Sequence, residues 1–197
     1  MMTENIDSVL EFWFGRGATA AEINAEKEAL WWSKNDALDR EITARFAPLV
    51  AAVAAGKRSD WEASPRGQLA LIICTDQFPR NMHRGSPEAF AHDPFALRIA
   101  KQCDAAQLRP IERVFAYLPF EHSEELAEQE RSVALFEKLA ADAPPSEQKL
   151  FADTLDFARK HYDIIKRFGR FPHRNAALGR ETSAEEAAFL REPGSSF

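Results

Sequence analysis

Cysteine is nearly absent from the chain. The two that occur, Cys74 and Cys103, have neither metal-ligand nor redox-motif spacing, so both are expected to be reduced core thiols. Strand grammar is missing too: there is no Asn-Gly or Asp-Gly hairpin dipeptide and no sustained apolar/polar alternation, which argues against a β fold. No apolar run approaches the roughly 20 residues that cross a bilayer. The N-terminal Met-Met-Thr-Glu-Asn-Ile-Asp carries acids where a secretory signal has positive charge, so no membrane association and a cytoplasmic location are expected. Positive charge is in deficit, the formal net charge being -6. A general nucleic-acid binder needs a basic face to displace counterions, so nucleic acid is excluded as an expected partner. Phosphate-loop and dinucleotide fingerprints are absent. So are His-Glu-x-x-His, the paired Glu-x-x-His helices of di-iron bundles and Gly-x-Ser-x-Gly. No cofactor or metal is expected, and no residue is assigned to catalysis from motif alone.

What is present is helical. With 197 residues and 45% hydrophobic content, the chain can bury a substantial core, and one all-α domain over residues 1–197 is expected. Ile6, Val9, Leu10 and Trp13 share one face of a first helix, about Ile6 to Phe14, ended by Gly15. A loop or short helix leads to Trp31 and Trp32. Asn35 caps a helix carrying Leu38, Ile42, Phe46, Leu49 and Val53, which Pro48 kinks or divides and Gly56 closes. Ser64-Pro65 starts the run Leu69 to Cys74, apolar all round and so expected to be the central helix, with Pro79 as its end. Asp76 falls on that buried stripe, where a carboxylate needs partners. Ser86-Pro87, Asp93-Pro94 and Pro110 mark further starts, and Pro119 is expected to stop the last of these. Ser123 and Ser146 are the expected caps of the next two helices, and Thr182 with Glu185 has capping-box spacing for a final short one. The tail from Gly194 to Phe197 is expected to be loose.

Three polar turns punctuate these helices: Asp76-Gln77-Phe78-Pro79-Arg80-Asn81, Leu118-Pro119-Phe120-Glu121-His122-Ser123-Glu124, and Arg167-Phe168-Gly169-Arg170-Phe171-Pro172-His173-Arg174-Asn175. Together with Val9-Leu10-Glu11-Phe12-Trp13-Phe14-Gly15, they resemble the bacterial domain-of-unknown-function family 924 over nearly the whole chain. The resemblance implies a tetratricopeptide-like fold, antiparallel helix pairs stacked in a right-handed superhelical array, and brings no established activity. No 34-residue repeat is visible. His83 stands where the family pattern carries a tyrosine.

The turns nominate one polar site. Its candidate ligand-binding residues are Asp76, Gln77, Arg80 and Asn81 from the first turn; Glu121, His122 and Glu124 with Gln129 from the second; and His161, Arg167, Arg170, His173, Arg174 and Asn175 around the third. Arginine forks bind carboxylate or phosphate in pairs of parallel hydrogen bonds, so a small anionic molecule is the expected ligand. His122 or His161 beside Glu121 could form an acid–base pair. The bland alternative is that the arginines neutralise Asp76, Glu121 and Glu124 in a structural network. The chain would then be a helical scaffold, able to bind a peptide through its carboxylate. An enclosed cavity at the turns would favour the pocket, and a long groove along helix faces the scaffold. Oligomeric state is not legible.

Overall fold

The computed structural model describes residues 4–195, and all its regular elements are helical. The expectation for Phe197 lies outside the described residues. α1 (Ile6–Phe14) has the expected bounds and is capped by reciprocal Asn5–Ser8 bonds. α2 (Ala20–Trp32) is a full helix where only a loop or short helix was expected, and the signal for it is the Thr19–Glu22 capping box. α3 (Asp36–Ala54) starts from the Asn35 cap and runs through Pro48 undivided.

The central helix begins at the Ser64 cap as α4 (Pro65–Ile72), and every residue from Gly67 to Ile72 is buried. It packs against α1, α6 (Asp93–Gln102) and α7 (Pro110–Glu121). Gly67 lets the chain approach itself here: a Cβ would lie 2.1 Å from the Trp61 carbonyl oxygen. Pro79 does not end the helix. A π turn over Ile73–Gln77, closed by Phe78 N–H donating to Ile73 O, intervenes, and helix resumes as α5 (Phe78–Met82) with Pro79 in its first turn. The first turn of a helix tolerates a residue without an N–H, which is why proline fits there. Pro119 likewise lies inside α7, which continues to Glu121.

α8 (Leu126–Ala141) packs on α7, and α9 (Gln148–Phe168) packs on α8. Neither starts at the expected serine. The Ser123 hydroxyl accepts only from Glu125 N–H, short of the helix. The residue before α9 is Glu147, whose buried carboxylate turns away to accept from Ala20 N–H at the start of α2. Gly169 closes α9 at φ 68, a left-handed position that suits a residue without a Cβ. α10 (Ala184–Phe189) is capped by Ser183 with Glu186, one residue beyond the expected pair.

Aromatic side chains dominate the main core, with Phe115 touching Trp13, Phe14, Trp31 and Trp32. A smaller cluster, Ile164, Ile165 and Phe171 backed by Phe168 and Phe189, seats α10 against the end of α9. No helix among the described residues is long and apolar enough to cross a membrane.

Candidate functional site

The π turn sets the site. Asp76 is fully buried within it. Its Oδ1 lies 2.7 Å from Nδ1 of His122, the residue that caps α7, and its Oδ2 accepts from Gln77 Nε2. Arg80, one turn on, donates from Nη1 to the Asp76 carbonyl at 2.7 Å and sits 3.3 Å from its Oδ1. The same guanidinium makes a two-pronged pair with Asp93 in the first turn of α6, at 2.8 and 2.9 Å. The end of the central helix is thereby locked to the start of α6 and, through His122, to the end of α7.

Burial alone would raise the Asp76 carboxyl, but the Arg80 charge and the bonds from His122 and Gln77 hold it well below the usual range. An ionised carboxylate only accepts, so His122 Nδ1 must carry the proton. Burial and the Arg80 charge lower the His122 imidazole, which favours its neutral form. An imidazole fixed in this tautomer by a carboxylate can act as a general base.

A second imidazole–carboxyl pair sits beside the first, the His122 and His161 rings being 6.3 Å apart. His161, on the buried face of α9, donates from Nδ1 to Phe157 O at 2.9 Å and lies 3.1 Å from Glu121 Oε1. Burial, reinforced by the Asp76 charge, pushes Glu121 up to about 8. Burial and neighbouring positive groups pull His161 down to about 3. Both partners are therefore neutral at neutral pH, whereas Asp76 is charged. Groups driven apart in this way are the raw material of acid–base chemistry.

The third wall is the short helical turn Pro172–Arg174. His173 is lowered to about 4 by burial and then by Arg174. Arg174 is 6% exposed. Its one side-chain hydrogen bond among the described residues runs from Nη1 to Asp93 Oδ2 at 3.4 Å, and its buried Nε has no partner. Burial and the Arg80 charge draw it down to about 10, so it remains a cation at neutral pH. The rings of Phe171 and Phe90 lie 4.5 and 4.8 Å from its guanidinium carbon.

The other candidates lie elsewhere. Gln129 turns back and donates to the Glu121 and Ser123 carbonyls, both at 2.6 Å, tying down the end of α7. Asn81 donates to Asp39, which also receives Arg84. Glu124 accepts from Phe171 N–H and from Arg180 at 2.7 and 3.0 Å. Asn175 accepts from Arg180 Nε. Arg170 is paired with Glu186, and Arg167 with exposed Glu185. The contacts of Glu124, Arg167 and Arg170 clasp α10 and the third turn to the body.

Sequence reasoning missed Asp93, Arg180, Glu186 and the two flanking phenylalanines. Asp93 had a visible signal, an acid before proline at a helix start, which also has the ordinary meaning of a group facing the helix dipole. Two surface hollows lie away from the turns, one beside Val133 and Tyr162 on α8 and α9 and one along α6 at Leu97 and Lys101. Among the described residues no group of three or more His, Cys, Asp or Glu side chains is arranged to hold a metal ion.

A family model described as "Bacterial protein of unknown function (DUF924)" matches residues 9–194. Among solved structures, a protein of unknown function from Agrobacterium tumefaciens, ATU0120, is similar at 36% identity and a TM-score of 0.73, over 87% of this chain and 96% of that one. No curated protein matches.

Proposed function

This chain belongs to the bacterial DUF924 family, and we propose that it binds a small anionic molecule where Arg174 and His173 face Arg80 and His122. The state of Arg174 carries this reading. Asp93 is already engaged by both prongs of Arg80 and reaches Arg174 only at 3.4 Å. A buried cation is left with half of a carboxylate and an N–H without a partner. An unmade buried hydrogen bond costs about 1–3 kcal/mol, more at a charged group, and a bound anion would remove that cost. His122, oriented by Asp76, gives such a site a base for acid–base chemistry on its ligand.

Thermal unfolding of the folded protein with inorganic phosphate, sulfate or acetate tests the binding. A ligand at 100 times its Kd stabilises by about 2.7 kcal/mol, and Arg174→Ala should abolish the shift. No shift with any anion, or an equal shift in the variant, would overturn the reading.

A second reading, a helical scaffold with a structural polar cluster, is supported by the saturated pairs around Glu124, Arg170 and Arg180. The consecutive packing of α7, α8 and α9 is compatible with a tetratricopeptide-like, right-handed stack on which a peptide would lie. A peptide that binds with undiminished affinity to Arg174→Ala would favour it.

A further inference from the structure

We infer that the anion held by Arg174 is a monocarboxylate, taken side-on by the Nε and Nη2 edge of the guanidinium. This rests on the anion-binding reading and narrows it to one ligand chemistry.

The orientation of Arg174 limits how it can be approached. Its Nη1 end is turned to Asp93, and Phe90 and Phe171 crowd the guanidinium carbon. What remains is the edge that includes the unpartnered Nε. Two N–H bonds on one edge of a guanidinium are parallel and spaced to meet the two oxygens of a carboxylate. A tetrahedral oxyanion has further oxygens to satisfy and needs more donors. Arg80 is already turned to other acceptors, with both of its terminal nitrogens bonded to Asp93 and the Asp76 carbonyl. His122 Nδ1 is committed to the Asp76 carboxylate.

Charge leads to the same choice. Asp76 and Asp93 are buried or nearly so beside Arg80 and Arg174. A dianion would add two negative charges to a site with one incompletely paired cation, and a carboxylate adds one. Phe90 and Phe171 supply apolar surface for the carbon skeleton behind the carboxylate. Because Nε is closed over in this conformation, entry requires side chains around the Pro172–Arg174 turn to yield, so association should be slower than diffusion allows.

Calorimetric titration of the full chain at pH 7 with acetate, benzoate, inorganic phosphate and sulfate tests the inference. The expected result is binding of a carboxylate at least tenfold tighter than either phosphate or sulfate. Arg174→Lys, which keeps the charge and loses the fork, should weaken the carboxylate at least tenfold. If phosphate binds as well as or better than the carboxylates, and that binding needs Arg174, the monocarboxylate inference falls and the anion site stands. If no anion binds the wild type, both fall. Carboxylate affinity unchanged in a folded Arg174→Lys protein overturns the side-on geometry. Should that variant not fold, the order of affinities in the wild type decides alone.

Discussion

Arg170 and Arg174 are four residues apart in one turn and meet opposite fates. Arg170 has a carboxylate that it shares with no other arginine: both its bonds to Glu186 are short, and a third goes to the Glu181 carbonyl. Arg174 shares Asp93 with Arg80 and receives the weaker part. The outer cluster, with Arg167–Glu185 and Arg180–Glu124, is saturated and partly wet. The inner cluster is buried, holds two arginines against Asp76 and Asp93 with one arginine incompletely bonded, and is surrounded by imidazoles whose charge is suppressed. Arginine density therefore does not single out the proposed site; the unpartnered buried Nε of Arg174 does.

The contrast can be broken most forcefully at Asp76. Asp76→Ala leaves Arg80 and His122 facing an empty buried position, and loss of one member of a buried charged network costs about 3–5 kcal/mol. Urea unfolding should show it, and a loss under 1 kcal/mol would mean that the inner cluster is no more structural than the outer one.

Next in size is a pH effect. Glu121, raised to about 8, holds a proton in the folded state that the unfolded chain has lost above its ordinary carboxyl range. Its contribution is full below that range and is lost as pH rises toward 8. His161 and His173, lowered to about 3 and 4, act with the opposite sign: their contribution is full above the ordinary histidine value and is lost as pH falls through those values. Between pH 6.5 and 8 Glu121 acts nearly alone. Stability should fall there by up to about 2 kcal/mol, from one proton at about 1.4 kcal/mol per pH unit. Glu121→Gln should be flat across that window in thermal unfolding, and a wild type already flat would refute the buried neutral acid.

Arg174→Met sharpens the comparison differently. Replacing an incompletely paired buried cation by an apolar side chain of similar length is expected to be neutral or to stabilise by about 1 kcal/mol, while anion binding is lost. Stability gained with binding lost is the pattern of a site, whereas a destabilised protein would place Arg174 among the structural pairs. The smallest effect belongs to Arg167→Ala, an exposed pair, at within about 0.5 kcal/mol by urea unfolding and with no change in anion binding.

Much of this was legible in the residues. Asn35, Ser64-Pro65, Asp93-Pro94 and Gly169 announce helix boundaries through local capping chemistry, which needs no tertiary information. Asp76 and His161 declared themselves by standing on apolar stripes. The partners did not. That Arg80 would find Asp93, or Arg170 find Glu186, depends on how helices pack, and every arginine in the third turn looks alike in sequence. The bounds at Ser146 and Thr182 failed because a neighbouring residue had a better bond: Glu147 to α2, and Ser183 with Glu186 one step later. Pro79 misled for a related reason, since the π turn that accommodates it has no local signature.

That π turn is also a record of length. It holds one residue more than an α-helix needs to cover the same rise, and π turns of this kind are found most often at functional sites. Removing a single residue between Ile73 and Gln77 would restore ordinary i→i+4 bonding and rotate α5 by about 100° relative to α4. Asp76 and Arg80 could then no longer both face His122 and Asp93. The chain can thus exchange many surface side chains and keep its chemistry, but within this one stretch the number of residues matters as much as their identity.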